Sequence, residues 1–303
     1  MHLVTIAKAL ADTTRVRLVR VLLVRELNVS EVVAVLGMGQ SRISRHLKIL
    51  ADAGLVETRR DGSWTFCRAV AEGPERELLD CAFARFGDDP ELARDLERAR
   101  AVVEERARAT RRFFDSVAEE WGRLSSDVLG EFDLFAEVVG RMPDGVVAAD
   151  LGCGPGLLLE RMAGRAALTI GVDNAPRMLE RAGERFAGRD DVSLRIGELT
   201  HLPLGDREAD FAVFSMVLHH LPHPDAALAE AARVIRPGGR LVVADFERHG
   251  LESMRTEYGD RVLGFEQGDL RRMLDAAGFA VDRADVERVN KGLGVLVVEA
   301  IRK

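Results

Sequence analysis

Apolar positions fall at helical spacing through residues 6–10, 16–24 and 32–36, which predicts three short helices. Ser30 stands where a cap for the third would be, and Gly37 where it would stop. A fourth helix begins near Gln40, because Ile43, Leu47 and Leu50 fall at i, i+4 and i+7 while Gln40, Ser41, Arg42, Ser44, Arg45 and Lys48 face elsewhere. Gly54 ends it. The β-prone runs LVETRR and SWTFCRAV then flank Asp61-Gly62, a strong short hairpin signal.

From residue 74 to 86 and from 90 to about 114 the pattern is charge-dense helix. A further helical stretch, FFDSVAEEWGRLSSDVL, carries Phe113, Phe114, Val117 and Trp121 on one stripe, a pattern expected of core packing. After Pro143 the register changes to alternating units: VVAADLG, a helix from Leu157, LTIGVD, a helix from Pro176, VSLRIGE, ADFAVFSM and a helix from Pro224. GRLVVADF, a helix from Asp269 and two strands near 281–289 and 294–301 follow. Repeated β-α units predict a parallel sheet with helices on both faces. The fold expected is therefore α/β overall, with a small α+β winged helix-turn-helix first and a Rossmann-like sheet second. Its expected division is 1–70 for the first domain, 71–142 for a helical linker or dimerisation region, and 143–303 for the second domain.

A length of 303 residues supports two cores, and 47% apolar with 31% charged residues is a globular composition. The longest apolar run, 16–24, is interrupted by Arg17 and Arg20, so no membrane span is expected. The opening residues lack the order of basic, apolar and small residues that marks a secretory signal, and a cytoplasmic location is the expectation. Cys67, Cys81 and Cys153 are too scattered for a disulfide framework or a Cys-x-x-Cys metal site. The net charge of −7 hides an asymmetry, since residues 1–70 hold 11 Lys/Arg against 6 Asp/Glu. A polyanion is the partner this suggests for the first domain alone.

Helix, short glycine-bearing turn, second helix and basic-flanked hairpin is the plan of a winged helix-turn-helix, whose second helix enters the DNA major groove. Gln40, Ser41, Arg42, Ser44, Arg45 and Lys48 are the candidate base and phosphate contacts, with Arg59, Arg60 and Arg68 on the wing. KALADTTRVRLVRVLL and ELNVSEVVAVLGMGQSRISRHLKILADAGLVETRRDGSWTFCRAV, with their S-R-H-L and A-G-L-V runs, closely resemble the ArsR family of bacterial transcriptional regulators. That resemblance implies a homodimer on a palindromic double-stranded operator, with repression as the usual mode. Metal-sensing members carry Cys-Val-Cys where this chain has Asn28-Val29-Ser30, and His2, His46 and His219 are dispersed, so no metal is expected.

The segment Asp150-Leu151-Gly152-Cys153-Gly154-Pro155-Gly156 follows a strand and opens a helix, the place where glycines let backbone approach a ligand. Asp173, 17 residues beyond Gly156 at the end of the next strand, can hold ribose hydroxyls. A dinucleotide would suit the same geometry. Three features oppose it: Asp150 before the glycines, the Gly197-Glu198-Leu199 turn, and Pro237-Gly238-Gly239. Together they resemble class I S-adenosylmethionine-dependent methyltransferases, and FFDSVAEEW looks like that group's lead-in helix.

By that resemblance Gly152, Gly154 and Gly156 face the methionine part and Asp150 lies near its amino group. Asp173 holds the ribose, Asn174 and Met178 border the adenosine, Glu198 and Leu199 take the adenine, and Ser215 with Met216 closes the pocket. In the His219-His220 pair, His220 is the candidate general base or, equally, a structural residue that caps the loop before Pro222. His249, Arg255 and Tyr258 are candidate acceptor contacts in a lid-like segment, 246–265. The chain thus reads as an ArsR-type regulator whose second domain binds S-adenosylmethionine or S-adenosylhomocysteine as effector. The alternative is an active methyltransferase of a small-molecule acceptor that carries a DNA-binding domain. No cysteine triplet suits arsenite, and the Asn/Asp-Pro-Pro-Tyr type of DNA methylation motif is absent.

Overall fold

The computed structural model describes residues 2–61, 63–86 and 89–303. The chain divides into two compact units, residues 1–108 and 109–303.

The first unit runs α1 (His2–Leu10), α2 (Thr13–Val24), β1 (Leu27–Asn28), α3 (Val29–Leu36), α4 (Gln40–Asp52), β2 (Val56–Asp61), β3 (Trp64–Ala69), α5 (Pro74–Phe86) and the start of α6 (Pro90–Val117). The cap of α3 is Asn28 and not Ser30. The Asn28 side chain accepts the Glu31 N–H while Glu31 accepts the Asn28 N–H, a reciprocal box that Ser30, with Val33 three residues on, cannot close. Gly37 ends α3 in the left-handed region, as expected. In α4, Ile43, His46, Leu47 and Leu50 are buried, which fixes its opposite face outward. The expected hairpin is β2 paired antiparallel with β3; its turn residue, Gly62, lies outside the described residues. The two-residue strand β1 adds to β3, giving the order β1-β3-β2.

The 71–142 stretch is shared between the two cores. Leu79 and Ala99 join Leu18, Val32 and Ile43 in the first core, while Val128, Leu134 and Met142 pack with the second. Helical periodicity shows that a face is apolar, but not which core receives it.

The second unit continues with α7 (Trp121–Leu129), α8 (Leu134–Gly140), β4 (Val147–Leu151), α9 (Leu157–Met162), β5 (Leu168–Asp173), α10 (Pro176–Arg185), β6 (Val192–Ile196) and β7 (Ala209–Ser215). It closes with α11 (Pro224–Val234), β8 (Ile235–Phe246), α12 (Ser253–Glu257), α13 (Gln267–Ala276), β9 (Phe279–Arg288) and β10 (Gly294–Arg302). Among the described residues these strands form one seven-stranded sheet in the order β6-β5-β4-β7-β8-β10-β9. The pairs from β6 to β8 are parallel, but β10 is antiparallel to both neighbours, so the sheet is mixed and not wholly parallel. The link from β9 to β10 is a short turn through Asn290–Gly292, and so short a connection permits only antiparallel pairing.

Strand order reverses at β4: β5 and β6 lie to one side of it and β7 to the other. The carboxyl ends of β4, β5 and β7 therefore border a crevice, the general ligand position of such sheets. Among the described residues no helix is long and apolar enough to cross a membrane.

Candidate functional site

The crevice is built on the loop after β4. Gly152, Gly154 and Gly156 have φ of +89°, +53° and +80°, a region that L side chains rarely adopt. The N–H groups of Gly152 and Cys153 both donate to the Val172 carbonyl, at 2.7 and 3.0 Å, which pins the loop to β5. Asp173, ending β5, accepts the Gly154 N–H at 2.9 Å and the Ala175 N–H at 2.8 Å, tying the loop to the start of α10. A Cβ on Gly152 would stand 2.6 Å from a Val217 methyl. Gly152→Ala is expected to lower thermal stability by about 1–3 kcal/mol through backbone strain and that clash. Calorimetric melting checks it, and an unchanged midpoint would contradict it.

Asp150, Gly152, Gly154, Asp173, Asn174, Met178, Glu198, Leu199, Ser215, Met216 and His220 all line one cleft. Gly156 is set back from it: it precedes α9, and its missing side chain makes room for the Phe186 ring, 2.7 Å from where a Cβ would lie. Asp150 is buried, and one of its carboxyl oxygens has no partner among the described residues. Burial, with the charge of Asp173 added, pushes its carboxyl up to about 8. Asp173 is raised as well, chiefly by burial and against the backbone N–H groups it accepts. At the far edge Glu198 accepts from Asn174 at 2.9 Å and from Arg111 of α6. Phe114 and Trp121, edge to face with centroids 5.3 Å apart, complete the wall. Their apolar stripe reads as core packing in the sequence; it does pack against Ala118, Ala175 and Met178, and it covers the cleft as well.

A second, mostly apolar compartment shares Trp121, Ser125, Leu129, Met216 and His220 with the cleft and is walled further by Leu124, Val128, Phe246, Met254 and Tyr258. His220 lies between the two spaces. Its Nδ1 is 3.2 Å from the Gly259 carbonyl and its ring stands edge-on to Phe114. Burial, reinforced by His219 and Arg261, drives its pKa well below the usual imidazole value, so it is neutral near pH 7. His219 does not line the cleft. It pairs with Asp245, Nδ1 to Oδ1 at 2.7 Å, and reaches the second compartment only.

The lid candidates are held by protein contacts. Tyr258 donates its hydroxyl to Asp127 at 2.6 Å, leaving its ring against the compartment. Arg255 donates to the Arg261 carbonyl, and the His249 Nδ1 accepts the Leu251 N–H.

In the first unit Gln40, Ser41, Arg42, Ser44, Arg45 and Lys48 are all exposed on the outer face of α4. Arg60 is exposed on β2. Arg59 is more tied down: it pairs with Asp61 at 3.1 Å and Glu26 at 3.5 Å and stacks over the Phe66 ring. Arg68 pairs with Glu57.

A sheet reversed at β4, a left-handed glycine loop and two acids at successive strand ends define a class I methyltransferase fold with a nucleoside-type cleft. Two family models match: the Methyltransferase domain over residues 149–243 and the Bacterial regulatory protein, arsR family, over residues 12–58. The chain is 30% identical over 169 residues to demethylmenaquinone methyltransferase of Corynebacterium kroppenstedtii, covering 54% of this chain and 72% of that one. It is 32% identical over 149 residues to arsenite methyltransferase of Halobacterium salinarum, covering 46% of this chain, and spans only 38% of that protein's length. The fold is similar to that of 1,6-didemethyltoxoflavin-N1-methyltransferase of Burkholderia thailandensis, solved with S-adenosylhomocysteine, at a TM-score of 0.55 and 22% identity, covering 66% and 90% of the two chains. The chain belongs to the class I S-adenosylmethionine-dependent methyltransferases and carries an ArsR-family helix-turn-helix domain ahead of that domain.

The residues present fit such a cofactor. The unpartnered Asp150 oxygen suits its amino group, Asp173 its ribose diol, and a glycine loop free of side chains its close approach.

Proposed function

We propose that the chain is an S-adenosylmethionine-dependent methyltransferase of a small, largely apolar acceptor, joined to a repressor-type DNA-binding domain. The observation that carries this reading is the apolar compartment beside the cleft, which shares Met216 and His220 with it. S-adenosylmethionine supplies an electrophilic methyl group on a sulfonium.

The protein's part is to align donor and acceptor and to exclude water. Trp121, Leu129 and Met216 wall both spaces, while Asp150 and Asp173 anchor the donor's polar ends. Neutral His220, at the junction, is the group placed to take a proton from the acceptor's nucleophile. The wall residues favour an acceptor whose reacting end is apolar, and one relative is named for a quinone-type substrate. Arsenite fits less well, because Cys153 is the one cysteine of the second unit.

The test is transfer of a labelled methyl group from S-adenosylmethionine into the small-molecule extract of the host cell. Label in an organic-soluble product, with S-adenosylhomocysteine formed in equal amount, is the expected result. Donor binding without transfer would favour the effector reading.

That second reading rests on Arg111. This arginine of α6 holds Glu198, the acid at the adenine edge, so an incoming nucleoside must share or displace the pair. A ligand acting as effector would do so through different affinities for DNA-competent and incompetent states. On DNA the proposed partner is a palindromic operator bound by a homodimer, in the cytoplasm. With DNA selected from a random pool, Arg45→Ala is expected to cost about 1–3 kcal/mol of binding, read by fluorescence anisotropy. Unchanged affinity would remove Arg45 from the interface.

A further inference from the structure

Three buried groups converge on the apolar compartment beside the cofactor cleft, and one of them, His220, also lines the cleft. His219 and His220 lie in the single turn Leu218–His220 after β7, and Asp260 follows α12. The Asp245 carboxylate receives the His219 Nδ1 at 2.7 Å and is itself held by the Phe246 N–H, also at 2.7 Å. A carboxylate on Nδ1 fixes that nitrogen as the donor and leaves Nε2 with the lone pair, the arrangement that orients metal-ligating histidines.

The His219 Nε2 faces Asp260 Oδ1 at 3.5 Å, an ion-pair distance when the ring is protonated but too long for a well-formed hydrogen bond. The Asp260 side chain is fully buried, and neither of its oxygens has a hydrogen-bond partner among the described residues. A buried carboxylate left in that condition is costly unless a cation meets it. His220 brings a second imidazole, and one ligand atom from each of His219, His220 and Asp260 lies within 4.8 Å of the others.

We propose that His219, His220 and Asp260 form a binding site for one first-row divalent transition-metal ion, with Asp245 orienting His219. Two imidazoles and one carboxylate match Zn2+ or Fe2+ and are a poor match for Mg2+ or Ca2+, which prefer all-oxygen shells. A proton on His219, shared between Asp245 and Asp260, is the competing occupant. It would leave Asp260 with no partner closer than the His219 ring at 3.5 Å.

All three ligands line the apolar compartment, so the open coordination positions face it. The next step rests on the methyltransferase reading: His220 then serves as a ligand in place of a base, and the acceptor is one that offers a hydroxyl or carbonyl oxygen to the metal.

The experiment uses the full-length, tag-free chain, stripped with a chelator and titrated with Co2+, with visible absorption and metal content as readouts. One Co2+ per chain, displaced by Zn2+, is expected. Asp260→Ala should abolish stoichiometric binding, and Asp245→Asn should weaken it by about 10–100-fold. Circular dichroism and S-adenosylhomocysteine binding check that each variant folds. X-ray absorption on the wild-type protein supplies a readout free of variants, with imidazole nitrogen in the Co2+ shell as the expected result.

Folded wild-type protein that takes up neither metal overturns the proposal. So does Co2+ binding that is unchanged in Asp260→Ala, or a shell without imidazole. Because S-adenosylhomocysteine binding is measured on the same samples, loss of the cofactor reading and loss of the metal site are told apart.

Discussion

Asp173→Ala is expected to weaken S-adenosylhomocysteine binding by about 100-fold or more. The carboxylate sits where a ribose diol would be received, and a hydrogen bond to a charged group contributes about 1.5–3 kcal/mol. Two such bonds give at least about 3 kcal/mol, or roughly a hundredfold in Kd. The side chain also accepts the N–H groups of Gly154 and Ala175, so its removal loosens the loop that the ligand rests on. Asp173→Asn, which keeps an acceptor but loses the charge, should fall between the two. Titration calorimetry on protein checked for folding reads the effect, and equal affinity in all three proteins would remove the cleft as the nucleoside site.

The second large effect is on pH. With its carboxyl held at about 8, Asp150 is mostly protonated at neutral pH before ligand arrives. An ammonium group beside it favours the ionised form, so binding below that pH must release the proton. Affinity for S-adenosylhomocysteine should therefore rise as pH rises, by close to tenfold per unit from about pH 6 towards about pH 8, and then level off. The sign follows from a carboxyl whose pKa is high in the free protein and lower in the complex. Calorimetry at pH 7 in buffers of different ionisation enthalpy should show about one proton released per ligand. In Asp150→Asn both the pH dependence and the proton release should vanish. Release that persists in the variant would assign it to another group, of which Asp173 is the nearest raised carboxyl.

What the sequence made legible were features whose chemistry is local. The glycine loop, the acids at two successive strand ends and the exposed face of α4 are each set by spacing within one turn or strand. All the cleft residues expected from the family resemblance gather in one place except Gly156, whose lack of a side chain serves helix packing against Phe186.

Features that depend on distant segments were not legible. Trp121 and Phe114 have the same apolar signature whether they face a core, a ligand or, as here, both, and only their placement beside the glycine loop reveals the second. The Arg111–Glu198 pair joins positions 87 residues apart. His219, Asp245 and Asp260 come from three separate elements, so no motif spacing announces them. The Asn28 cap was within reach of local reasoning, since Glu31 three residues on completes its box.

On the proposed function, the cleft presents a methyl donor to an open acceptor space. A crystal structure with S-adenosylhomocysteine bound tests it most directly. The prediction is an amino end at Asp150, a ribose at Asp173, and a sulfur turned towards Met216 and His220 with the apolar compartment still open before it. A sulfur facing closed protein wall, or a compartment filled by the chain's own side chains, would contradict the claim and leave a ligand-binding domain without a reaction.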